Sequence, residues 1–209
     1  MKSTYPATVL VAIGIALGGG ALAGPFPPAA PFGSDAVAHD SSGILFWADG
    51  YSDFQQGPEG YAFDNPLDGI GAPSGNDPVN DVYDVVSLGQ GGQITLTFPQ
   101  AIANGDGPDF AVFENAFNNT FLELAYVELS QDGISFVRFP STSLTTEPVP
   151  YWGGSLDASD LDGLAGKYLV GYGTPFDLAD VDLAYATHLR LVDIVGDGNA
   201  LDTQGNPIY

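Results

Sequence analysis

The chain has 209 residues, of which 26 are acidic and only four are Lys or Arg, giving a formal net charge of -22. Nucleic acid and anionic lipid make poor partners because both would be repelled, whereas divalent cations, calcium above all, would offset the self-repulsion of such a chain. No cysteine is present, so a core must do the work of a disulfide, and 44% hydrophobic against 14% charged residues fits a folded domain rather than an acidic tail.

In chain order, Met1-Lys2 leads into an apolar stretch over 9–22 that ends in Ala21-Leu22-Ala23. This predicts a secretory signal peptide over 1–23, too short and too interrupted by glycine to span a bilayer. Its removal takes Lys2 away and moves the net charge from -22 to -23, leaving Arg138, Lys167 and Arg190 as the strong cations. Residues 24–34, with Pro25, Pro27, Pro28 and Pro31, read as a spacer. A single domain is expected over 35–209, long enough at roughly 175 residues to bury one core.

Within it, 44–78 reads as long loops with short strands, broken by Gly57-Pro58, Asn65-Pro66 and Gly75-Asn76. A hairpin follows, with strands over 82–88 and 94–98 joined by a turn at 89–92. Residues 110–114 form a strand that places Glu114 on the face of Phe110 and Val112. In 123–130, Ala125, Val127 and Leu129 share one face and Leu124, Tyr126 and Glu128 the other, and Gln131-Asp132-Gly133 turns the chain into a partner strand over 134–139. The stretch 145–165 is loop with one helical turn near 156–161, Gly171 to Pro175 is a turn, and 188–195 is a strand. Recurrent strands without a sustained helical period predict an all-β fold, a jelly roll or β-sandwich of antiparallel strands with long loops.

Glu114 is the most informative side chain. A buried carboxylate must escape at the strand end, meet a cation or hold a metal. Asp193 stands on the face of Leu189, Leu191 and Val195, away from Arg190, and Asp197, Asn199 and Asp202 follow in a short glycine-containing loop. Calcium takes six to eight oxygens in flexible geometry, which makes Asp109, Glu114, Asn115, Asp193 and Asp197 the expected metal oxygens; the spacing is not that of an EF-hand. The alternative is that these acids cap turns. Neither His39 nor His188 belongs to a nucleophilic constellation, and the abundance of Asp and Glu does not itself define a glycosidase pair. Loop aromatics Trp47, Tyr51, Tyr151, Trp152 and Tyr172 are the expected ligand-binding residues, able to stack on sugar rings or anchor a protein, or else to plug the core ends.

The segments 107–115 (GPDFAVFEN), 123–136 (ELAYVELSQDGISF), 173–179 (GTPFDLA) and 192–197 (VDIVGD) resemble bacterial secreted cell-surface proteins, many with PEP-CTERM-type sorting tails. The resemblance covers about 44–209. It implies a galactose-binding-like or discoidin-like jelly roll used for binding, and a sequence that stops short of a last strand and of the sorting tail.

Together these readings describe a secreted, calcium-stabilised, non-catalytic binding module at the cell surface or in the matrix, with polysaccharide as its ligand. A structural or adhesive surface protein that binds other proteins is the alternative, and an Asp/Glu glycoside hydrolase the third.

Overall fold

The computed structural model describes residues 24–60, 63–77, 85–148 and 156–209. Ten strands run through them: β1 Val37–Ala38, β2 Gly50–Gln55, β3 Gln93–Ala103, β4 Phe110–Phe113, β5 Ala125–Ser130, β6 Val137–Arg138, β7 Thr142–Ser143, β8 Leu161–Asp162, β9 Tyr172–Phe176 and β10 Tyr185–Asp193. They form a five-stranded sheet ordered β2-β3-β10-β5-β6, a three-stranded sheet ordered β1-β9-β4, and the pair β7-β8. All ladders between these strands are antiparallel. The helical pieces among the described residues are short 3-10 turns at Pro66–Gly69, Ala158–Asp160 and Leu178–Val181. The fold is all-β, and no helix among the described residues is long and apolar enough to cross a membrane.

Alternation explains the centre of the larger sheet. Leu129, Val127 and Ala125 of β5 stand opposite Leu189, Leu191 and Asp193 of β10. Ala125, Val127, Leu129 and Leu189 enter one core cluster, and β4 and β9 add Val112 and Phe176 to it. Phe110 packs against the same cluster and stacks on Phe176 with ring centroids 5.3 Å apart. The two sheets therefore share a core. On the other face, Leu124 and Tyr126 join Leu161, Leu164, Ile194 and Ile208 in a second cluster. Apolar cover on both faces leaves Leu129 with 0% exposure, and its truncation to Ala should cost about 2–5 kcal/mol in a urea titration.

Arg190 projects from β10 on the face opposite Asp193, as period two requires. It lies 3.6 Å from Glu128 and 3.5 Å from Asp53, and its guanidinium caps the Phe136 ring at 3.6 Å. Arg138 of β6 donates from Nε to the same Glu128 at 2.9 Å.

Four local expectations change. The partner strand over 134–139 keeps only Val137–Arg138, because Gln131 to Ser135 bend around the Asp132 carboxylate, which accepts from the Ile134 and Ser135 amides. The described part of the 82–88 strand, Val85 to Leu88, is not in a strand. Both edges of β3 are already taken, by β2 and β10, so no ladder is left for it. Gly171 to Pro175, expected as a turn, runs largely in β9, and the strand tolerates Pro175 because β1 pairs only with Tyr172 and Gly173. The His188 strand starts earlier, at Tyr185, with an irregularity between Ala186 and His188.

The proline-rich stretch lies against the body. The Gly24 and Phe26 amides donate to the Ser159 hydroxyl and carbonyl at 2.7 and 3.1 Å, and Ala29 is buried. The expected signal peptide, 1–23, lies outside the described residues.

The sheet's two outer strands are irregular or short. β6 has two residues, while β2 shifts register between Ser52 and Gln55 around Asp53, a non-glycine residue at φ 48°.

Candidate functional site

The site is built where β4, the start of β5 and the end of β10 meet a turn. Two glycines permit the approach. A side chain at Gly92 would strike the Leu88 carbonyl, and one at Gly166 would strike the Glu123 carbonyl, each within about 2 Å. Gly166 also has φ +84°, a left-handed conformation that favours glycine. Ala125 and Ala165 exchange main-chain hydrogen bonds at 3.1 and 3.0 Å, which fixes the chain just after Glu123. The Asp193 amide donates to the Gly92 carbonyl at 2.9 Å, and Asp193 Oδ2 accepts from the Gly91 amide at 2.8 Å.

These contacts bring Glu114, Glu123 and Asp193 to the wall of one cleft of about 1040 Å³. Glu114 follows β4. The residue keeps some exposed surface, but its Oε2 is shielded from solvent and has no hydrogen-bond partner among the described residues. Burial, with the nearby Glu123 charge adding to it, raises the proton affinity of Glu114 well above the usual carboxylate range, against the main-chain amides of Ala116 and Asn115. Burial likewise raises Glu123, with Asp193 contributing, and burial raises Asp193 against the Gly91 bond. The three acids are thus electrostatically linked, Glu114 to Glu123 and Glu123 to Asp193.

The rest of the wall is largely apolar. Trp47 leans on Phe113 with ring centroids 5.2 Å apart, Phe117 stacks on Phe121 at 6.0 Å, and Phe63 lies along the same cleft. Such a wall suits a ligand with both apolar faces and hydrogen-bond donors. Carboxylate acceptors can take hydroxyl or charged N–H donors, and a carboxyl that keeps its proton can also donate.

No family model, curated protein or solved structure matches the chain.

Of the expected metal oxygens, Glu114, Asn115, Asp193 and Asp109 border the cleft and Asp197 does not. Asp109 accepts from the Gly105 and Leu178 amides at 2.7 and 2.8 Å, tying a loop to a 3-10 turn. Asp197 is exposed and accepts from the Asn199 amide at 2.9 Å. Among the described residues no three His, Cys, Asp or Glu side chains are grouped to hold a metal ion.

Of the expected aromatics, Trp47 borders the cleft, and Tyr172 borders a smaller cavity of about 220 Å³ that shares Phe117 and Val170 with it. Tyr51 is exposed on β2, away from both. Tyr151 and Trp152 lie outside the described residues. Tyr168, another loop aromatic, is 2% exposed and donates to Asp35. Sequence reasoning did not single out Glu123. Its period-two relation to Ala125, Val127 and Leu129 was the available signal, since it continues the inward row to the sheet's end.

Proposed function

We propose that this is an exported, non-catalytic binding module of the cell surface or matrix, with a jelly-roll-like β-sandwich whose ligand, a polysaccharide, lies in the cleft beside Glu114. The observation that carries the reading is the combination of aromatic walls and three carboxylates in one large cleft. Pyranose rings present apolar faces that rest on aromatic rings and hydroxyls that donate to carboxylates. The shared core of the two antiparallel sheets supports the sandwich, and the apolar run before Ala23 supports export. Calcium is the competing guest for the same oxygens.

Affinity electrophoresis against a panel of neutral, acidic and amine-bearing polysaccharides tests it. Wild type is retarded by at least one, and Trp47→Ala weakens that binding by at least about tenfold. Phe117→Ala, at a residue 47% exposed, gives a second reading from a position where folding is little disturbed. Retardation by none of the panel, together with self-association, would favour the adhesive reading. Release of reducing ends, lost in Glu114→Gln, would make the protein a hydrolase instead.

A further inference from the structure

Among the described residues the negative charge of the cleft has no cationic counterpart beside it. From residue 24 onward the Lys and Arg complement is Arg138, Lys167 and Arg190. Arg138 and Arg190 are engaged with Glu128 and Asp53 on the far face of the larger sheet, and the Lys167 ammonium donates to the Leu161 carbonyl at 2.6 Å. Glu114 nevertheless holds an enclosed Oε2 with no partner among the described residues. A buried acceptor in that condition is costly, and a charged donor from outside relieves more of the cost than a neutral one.

Two kinds of cation can supply the charge. Calcium needs six to eight oxygens converging on a point. The three acids line the wall of one cleft, and among the described residues no three such groups close around one ion. An organic ammonium group needs fewer acceptors, because its N–H donors can go to separate carboxylates. Its carbon frame can also rest on aromatic faces, which attract the charge in their own right. Trp47 and Phe113 supply such faces on the same wall, and the cleft volume of about 1040 Å³ admits a ligand of several rings rather than a bare ion.

We infer that the cleft takes a ligand bearing primary ammonium groups, anchored by Glu114 and flanked by Glu123 and Asp193, and that this ligand is a hexosamine polymer with free amines. The polymer identity rests on the glycan reading above; the ammonium site does not.

Titration calorimetry at fixed ionic strength with three oligosaccharides of equal length, one of glucosamine, one of N-acetylglucosamine and one of glucose, tests the inference. The free-amine oligomer binds at least about tenfold tighter than the other two, and Glu114→Gln and Glu123→Gln each erase most of that preference. Asp180→Asn removes an exposed acid of the Leu178–Val181 turn and leaves the preference intact. Equal binding of the three oligomers would overturn the inference while keeping the glycan reading. An equal loss in Asp180→Asn would overturn it as general attraction to an acidic surface. Binding of n-butylammonium that depends on Glu114, with no oligosaccharide bound, would keep the ammonium site and remove the glycan reading. Calcium-specific stabilisation lost in Glu114→Gln, with no amine binding, would give the site to the metal.

Discussion

At pH 8 and without ligand, Glu114→Gln unfolds at a higher temperature than wild type, by on the order of 2 kcal/mol, or about 4–8 °C for a chain of this size. In wild type, burial and the Glu123 charge make Glu114 hold its proton more tightly in the folded chain than in the unfolded one, where its ordinary value is 4.5. A raised carboxylate favours folding fully below its unfolded value and loses that contribution as pH rises through the folded value. Wild-type stability therefore declines as pH rises from about 5 toward 8, and Glu123 and Asp193, raised by burial, push the same way. The glutamine variant shows a shallower decline, and the two curves approach one another in acid. Thermal scans across pH at constant ionic strength check this. Parallel curves would mean that the carboxyl is solvated and that the cleft carries no stored charge.

Asp202→Ala should have the opposite sign and a larger size, a loss of about 3–4 kcal/mol at neutral pH, read from the urea midpoint. Asp202 is 6% exposed, and its carboxylate accepts from the amides of Ser143 at 2.9 Å, Gln204 at 2.9 Å and Asn206 at 2.8 Å, and from Asn206 Nδ2 at 3.0 Å. Around it, Thr203 and Ser141 bond reciprocally and the Tyr126 hydroxyl donates to the Leu201 carbonyl at 2.7 Å. Truncation would strand several main-chain donors at once and loosen Ile208 from the second core cluster. Burial alone would raise this carboxyl, but the bonds from Asn206, Ser143 and Gln204 outweigh it and hold it below 3.8. A depressed carboxylate contributes above its unfolded value and loses that contribution as pH falls through its folded one. Acid should therefore weaken the Asp202 clasp while it relieves Glu114, giving wild type a stability maximum on the acid side of neutrality.

The features legible in the sequence were those set by period two. The opposed faces of β5, the inward placement of Asp193 beside Leu189 and Leu191, and the outward Arg190 all follow from alternation along a single strand. The burial problem posed by Glu114 was legible too, because an apolar run ending in a carboxylate states it directly. What could not be read was pairing between distant segments. The placement of the three acids in one cleft depends on Ala125 meeting Ala165 and on Gly92 meeting Asp193, contacts that no local pattern encodes. The same limit explains the misplaced strand near Val85, where the choice of partner for β3 lay with β2, forty residues upstream in the chain. It also explains β9, whose glycine and proline signal a turn unless the brevity of β1 is known. The spacing of acids suggested that Asp109 and Asp197 would converge with Glu114, yet each accepts from main-chain amides of its own turn or of a neighbouring one.

The outer strands of the five-stranded sheet bear on how the protein behaves when crowded. An open, regular strand edge recruits edges of other molecules. Two-residue β6 gives a second molecule almost nothing to add to, and the kink at Asp53 breaks the row of free amides and carbonyls along β2. Crowded copies are thereby hindered from pairing edge to edge along this sheet.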